Sequence, residues 1–166
     1  KAVSIPVTVK CRIGIDQQDD YADLQRFVAT VSESGVNTFI VHARKAWLDG
    51  LSPKENRDVP PLNYERVYLL KEEFPQLEII INGGVNSLDD CQRHLKKVDG
   101  VMMGRAAYQS PFLLKEVDQR IYGSDCPVLT DAELIEHLCH YVEQRLATGA
   151  QLKFISRHIV GLFQSR

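Results

Sequence analysis

Four times along this chain a short apolar run ends in a polar or glycine signature and gives way to helix-patterned sequence. The runs are VTVKCR at residues 7–12, FIVHAR at 39–44, IIINGG at 79–84 and VMMGRAA at 101–107. Strands alternating with helices build a parallel sheet, and in a barrel of such βα units chemistry gathers at the carboxyl ends of the strands. Those ends carry a lysine, a histidine, an Asn-Gly-Gly turn and a Gly-Arg pair.

The units can be traced one by one. Val7, Val9 and Cys11 alternate with Thr8, Lys10 and Arg12, which puts Lys10 and Arg12 on one strand face. Leu24, Phe27, Val28 and Val31 recur at helical spacing, and Gly35 ends that helix. A second strand spans 37–42, and its connection, 43–61, far exceeds the usual length of about two to six residues. The next helix carries Tyr64, Val67 and Leu70 and stops at Phe74-Pro75, where proline forbids continuation. Residues 77–81 form a third strand whose continuous β-branched run, Ile79 to Ile81, is the mark of a strand buried on both faces. A helix from near Ser87 uses Leu88, Cys91, Leu95 and Val98, and a fourth strand, 100–103, runs into Gly104-Arg105. A short turn and a helix opened by Ser110-Pro111 follow, a capping residue before proline. From Thr130 the pattern is helix only: Thr130 and Glu133 form a capping box, and a basic tail helix carries Leu152, Ile155, Ile159 and Leu162.

The expected fold class is therefore α/β: four βα units forming the second half of a (β/α)8 barrel over residues 1–124, then C-terminal helices over 125–166. A closed barrel takes eight strands and about 250 residues. An open parallel sheet with an uncovered face and bare edges is unfavourable alone. The expectation is a piece that lacks its N-terminal half-barrel, or a half-barrel with a self-association partner. A four-unit doubly wound sheet is the third arrangement.

Composition narrows the function classes. A net charge of −2 lacks the overall basic footprint of a nucleic-acid-binding domain. Its distribution is uneven: acids crowd Asp16, Asp19, Asp20 and Asp23, while beyond Glu143 there are only Arg145, Lys153, Arg157 and Arg166, so a polyanion would approach the C-terminal end. No apolar run reaches about 18 residues and the first residues lack a signal-peptide pattern, which predicts a soluble, cytoplasmic protein with no membrane partner. Four cysteines without a C-x-x-C pair fit reduced thiols. Glu133, His137, Cys139 and His140 lack a further ligand cluster and read as surface or packing residues, so no metal is expected.

Each candidate site residue has an ordinary reading beside the functional one. Lys10 is a solvated strand-end lysine or a cation stabilising negative charge on a ligand in a barrel mouth. His42 is a satisfied strand-end histidine or a donor to a cofactor. Asn82-Gly83-Gly84 is a plain turn or, with Gly104-Arg105 one unit later, a phosphate cradle whose glycines admit backbone N–H groups and whose arginine adds a fork of donors. The loop 43–61, with Arg44, Lys45, Lys54, Arg57 and Trp47, is either a solvated loop or a basic arm holding phosphates of a large anionic substrate.

The strings VTVKCRIGID, VHARKAWLDGLSPKENR, INGGVNS and MGRAAYQSPF, in this order and spacing, resemble the C-terminal half of bacterial tRNA-dihydrouridine synthases of the A-type. That resemblance implies a flavin-binding (β/α)8 barrel followed by a helical tRNA-binding region, reducing uridine in the tRNA D-loop with FMN and NADPH. It implies FMN contacts from Lys10, His42, Asn82, Gly83, Gly84, Gly104 and Arg105, and tRNA contacts from Lys54 and Arg57. The family's proton-donating loop cysteine has no counterpart among the four here, so the resemblance implies a chain inactive on its own. Other phosphate- or flavin-binding barrels acting on a small substrate, and a non-catalytic self-associated half-barrel, are the alternative readings.

Overall fold

The structure is a computed structural model that describes residues 3–163. Arg166, the last cation of the basic tail, lies outside the described residues. The chain divides into two compact units: one of 1–85 with 91–103, the other of 86–90 with 104–166.

The first unit is a four-stranded parallel sheet in the order β1 (Thr8–Arg12), β2 (Thr38–His42), β3 (Glu78–Asn82) and β4 (Gly100–Met102). Sequential order without reversal is the winding of a (β/α)8 barrel; a doubly wound sheet reverses at a switch point, so that alternative is set aside. The connections carry α1 (Tyr21–Ser32), α2 (Glu65–Glu73) and α3 (Leu88–His94). Asp20 caps α1, its side chain accepting from the Ala22 N–H, and Leu24 and Val28 fall one turn apart on the buried stripe. α2 stops where expected, with Phe74 as its C-cap before Pro75.

The period of two along each strand sorts side chains onto opposite faces. Phe39, Val41, Ile79 and Ile81 are fully buried against Val28 of α1 and Val67 and Leu70 of α2 in one apolar cluster. The other face carries Lys10, Arg12, Ile40, His42, Ile80 and Asn82, none of them buried. The isoleucine run of β3 predicted burial on both sides; Ile80 is instead only half-buried, and no helix among the described residues of this unit is in its apolar cluster on that face.

In the second unit α4 (Arg105–Gln109) starts directly after Gly104, where a turn was expected. Pro111–Glu116 is a 3-10 helix with proline in its first turn, but Ser110 makes no side-chain capping bond. After α5 (Val117–Arg120) come α6 (Asp131–Ala147), with the expected Thr130–Glu133 capping box, and α7 (Leu152–Ile159). The segment following β4 groups with these helices because it touches them. Lys115 pairs with Asp131 at 2.5 Å, and Tyr108 shares a hydrogen bond with His158 Nδ1 at 3.1 Å. Gly161 lies so close to the Tyr108 and Gln109 carbonyls that a Cβ would fall 2.7 Å from each oxygen. In the chain the second unit thus takes in residues from 104 onward as well as 86–90. Among the described residues no helix is long and apolar enough to cross a membrane.

Candidate cofactor site

Parallel register lines up Arg12, His42, Asn82 and Met102 across the carboxyl ends of the four strands, with Lys10 one layer below, level with Ile40 and Ile80. Four loops of irregular sequence start from that row, so side chains distant in sequence share one rim. Lys10 reaches across β2 and donates from Nζ to Asn82 Oδ1 at 3.2 Å, while Asn82 Nδ2 donates to the Met102 carbonyl at 2.8 Å. The lysine and the asparagine are therefore one assembly.

His42 completes it through Gly83. Gly83 and Gly84 have φ of +114° and +66°, a region that penalises any side chain. A Cβ on Gly83 would fall 2.5 Å from His42 Cδ2, so the imidazole rests against the bare glycine backbone. A Cβ on Gly84 would meet Leu62 at 2.6 Å and Tyr64 Oη at 3.0 Å. The turn needs both glycines.

A cavity of about 600 Å³ opens on this rim, lined by Lys10, Arg12, His42, Asn82, Trp47, Asn56 and Arg57 among others. Its charge is predominantly positive. Partial burial, and then the charge of Arg12, lower the pKa of Lys10. Burial, followed by Arg44 and Arg57, does the same to Arg12. Crowded cations that disfavour one another's charge suit an anionic or electron-rich ligand.

The long connection is folded back onto the rim by residues that sequence reasoning did not single out as anchors. Arg12 donates from Nη1 to the Lys45 carbonyl at 2.8 Å and the Asn56 carbonyl at 2.9 Å. Asn56 brackets Trp47, accepting from its N–H at 2.8 Å and donating to its carbonyl at 2.7 Å. Lys45 pairs with Asp19 at 3.1 Å and sits over the Trp47 ring, while Arg66 meets the other oxygen of Asp19 at 2.7 Å. Arg44 donates to the Asp58 and Pro60 carbonyls. Of the four loop cations, two are thus used to shape the loop. Lys54 and Arg57 are exposed beside the 3-10 turn Glu55–Arg57 and make no side-chain hydrogen bond or ion pair among the described residues.

Of the predicted cofactor residues, Lys10, His42, Asn82, Gly83 and Gly84 come together in the first unit. Gly104 and Arg105 follow β4 in the chain and belong to the second unit. A Cβ on Gly104 would meet nothing within 4 Å, so its own packing does not demand glycine. Cys11 faces the helices, and burial pushes its thiol up to about 11. Tyr64, expected only as a helix residue, donates from its hydroxyl to the Gly83 carbonyl at 2.8 Å. No periodicity announces such a bond, since it joins a helix start to a turn 19 residues away.

The dihydrouridine synthase family model matches residues 1–166. Among curated proteins the chain is 58% identical over 164 residues to the tRNA-dihydrouridine(20/20a) synthase of Yersinia pestis, covering 98% of this chain and 48% of the relative. It is 56% identical over 163 residues to that of Pasteurella multocida, covering 98% and 50%. With the protein of the same description from Vibrio parahaemolyticus it shares 56% over 166 residues, covering 99% and 51%. The chain spans about half the length of the curated relatives it matches.

Proposed function

The chain belongs to the dihydrouridine synthase family, and from that premise we propose that it supplies the cofactor-binding half of an enzyme that reduces uridine in the D-loop of tRNA, at positions 20 and 20a. The observation that carries this reading is the Lys10–Asn82 hydrogen bond across the open sheet face, beside His42 seated on Gly83.

The donor set fits FMN. Lys10 and His42 present a cation and an imidazole to a cavity wide enough for a ring system, and His42 rests against the bare backbone of Gly83. Lys10, His42 and Asn82 would hold the flavin ring, and the backbone of Gly83-Gly84 would hold its phosphate; for Gly104 and Arg105, in the second unit, FMN contact is proposed from the resemblance alone. When bound, FMN supplies hydride chemistry, drawn from NADPH, to the C5–C6 bond of uracil. The Lys10 ammonium would stabilise negative charge on a ring held there, and Asn82 keeps that ammonium aimed across the sheet. Trp47 and the Arg12-anchored loop line one side of the cavity. A uridine must leave its stack to enter such a site, which gives phosphate-binding groups outside the rim a task. The uncommitted Lys54 and Arg57 are suited to it, and they favour a polyanion over a small substrate.

Proton delivery opposite the hydride falls to a cysteine of the barrel half not represented here, and the same half closes the open sheet face. With tRNA as substrate, the place of action is the cytoplasm. The test is dihydrouridine formation, read by nucleoside mass spectrometry on unmodified tRNA with FMN and NADPH. This polypeptide alone should make none; combined with the first half-barrel of a relative, it should make dihydrouridine at positions 20 and 20a. Turnover by the 166-residue chain alone, or none by the completed barrel, would overturn the proposal.

A further inference from the structure

We propose that Tyr64 is a positioning residue for the cofactor phosphate, acting through the peptide between Gly83 and Gly84; this rests on the FMN reading above. Tyr64 stands at the start of α2 and donates from Oη to the Gly83 carbonyl at 2.8 Å. A trans peptide is planar, with its C=O and N–H pointing in opposite directions. Holding the Gly83 carbonyl on the tyrosine side therefore turns the Gly84 N–H to the other side. No acceptor among the described residues takes that N–H.

Such control is needed at this place. A peptide flanked by two glycines with positive φ has little steric resistance to turning over, so something outside the turn must choose its orientation. The tyrosine is itself held. Its ring meets the buried His94 edge-on with centroids 4.5 Å apart, and His94 Nδ1 shares a 2.7 Å hydrogen bond with the Tyr68 hydroxyl. Tyr68, His94 and Tyr64 thus form a buttress from α2 and the end of α3 to the turn. Its last bond leaves one N–H oriented for an anion, whereas Lys10, His42 and Asn82 face the ring.

That division of labour separates the phosphate from the ring, and riboflavin, which lacks the phosphate, reads it out. Tyr64→Phe keeps the ring against His94 and removes only the hydroxyl. Titrated on the full chain by flavin fluorescence, this variant should bind FMN about tenfold more weakly, as for loss of one oriented hydrogen bond to a charged group, with riboflavin affinity unchanged. Without any ligand, the Gly84 amide resonance should shift or broaden. Should Tyr64→Phe fail to fold, Tyr68→Phe carries the test, with a smaller loss confined to FMN. Equal weakening of FMN and riboflavin, or none of either, would overturn the positioning role. Failure of the unmutated chain to bind either flavin would overturn the FMN reading first and this inference with it.

Discussion

The two faces of the four-stranded sheet are made by the same strands and have opposite tasks. Toward the helices, Phe39, Val41, Ile79 and Ile81 are fully buried among aliphatic neighbours, with no polar group to satisfy. Toward the open side the same strands place Lys10, Arg12, His42 and Asn82, with Lys10 hydrogen-bonded to Asn82, Arg12 bonded to the long loop, and positive charge crowded together. Stability is thus concentrated on one face and ligand chemistry on the other, so a substitution should affect one property with little effect on the second.

The largest expected effect lies on the closed face. Phe39→Ala removes a fully buried ring from the centre of the cluster and should cost about 3–5 kcal/mol in urea unfolding. Lys10→Met, two residues below the rim on the open face, should change stability by less than about 1 kcal/mol and lose most of the FMN affinity. Comparable stability losses from the two substitutions would abolish the division. Gly83→Ala joins both properties, because its Cβ collides with His42 at a φ of +114°. A loss of about 1–3 kcal/mol is expected, together with weaker FMN binding as the imidazole is displaced.

Smaller effects belong to the rim and loop. Burial opposes ionisation of Asp19, but hydrogen bonds from Lys45 and Arg66 outweigh it and hold the carboxyl below its usual range. A depressed folded value means that the stabilisation is complete above the ordinary carboxylate pKa of about 4 and disappears as pH falls through the lower folded value. Asp19 is partly exposed, so solvent screening limits the effect to the order of 0.5 kcal/mol. Asp19→Asn should therefore flatten the acid limb of a stability-versus-pH curve while lowering stability slightly at neutral pH. Smallest in stability is the Lys54→Ala, Arg57→Ala pair, expected to shift unfolding by less than about 0.5 kcal/mol. In the completed barrel this pair should weaken tRNA binding and reduce its salt slope by roughly one to two.

What sequence reading captured follows the same division. Strand periodicity and the chain order of signatures sufficed to place His42 and Asn82 at corresponding strand ends, with Lys10 on the same sheet face one layer below, because parallel βα units bring equivalent positions to one edge. The Thr130–Glu133 capping box was legible because it is a local hydrogen-bond pattern. Ile80 misled: a β-branched run encodes a strand that can be buried on both faces, not whether a covering element is present. Arg12, Asn56 and Tyr64 escaped as anchors because their bonds run to backbone carbonyls, which every residue carries, and so leave no mark in composition or spacing. The grouping of the segment after Met103 with the C-terminal helices carries no local signature, because it is set by contacts such as Tyr108–His158, fifty residues apart in the chain.

The most direct test is a crystal structure of the chain soaked with FMN. The flavin ring should lie on the open face within hydrogen-bonding distance of Lys10 and His42, with its phosphate against the Gly83–Gly84 backbone. Flavin density seated elsewhere, with Lys10 still bonded to Asn82 and untouched by ligand, would contradict the account.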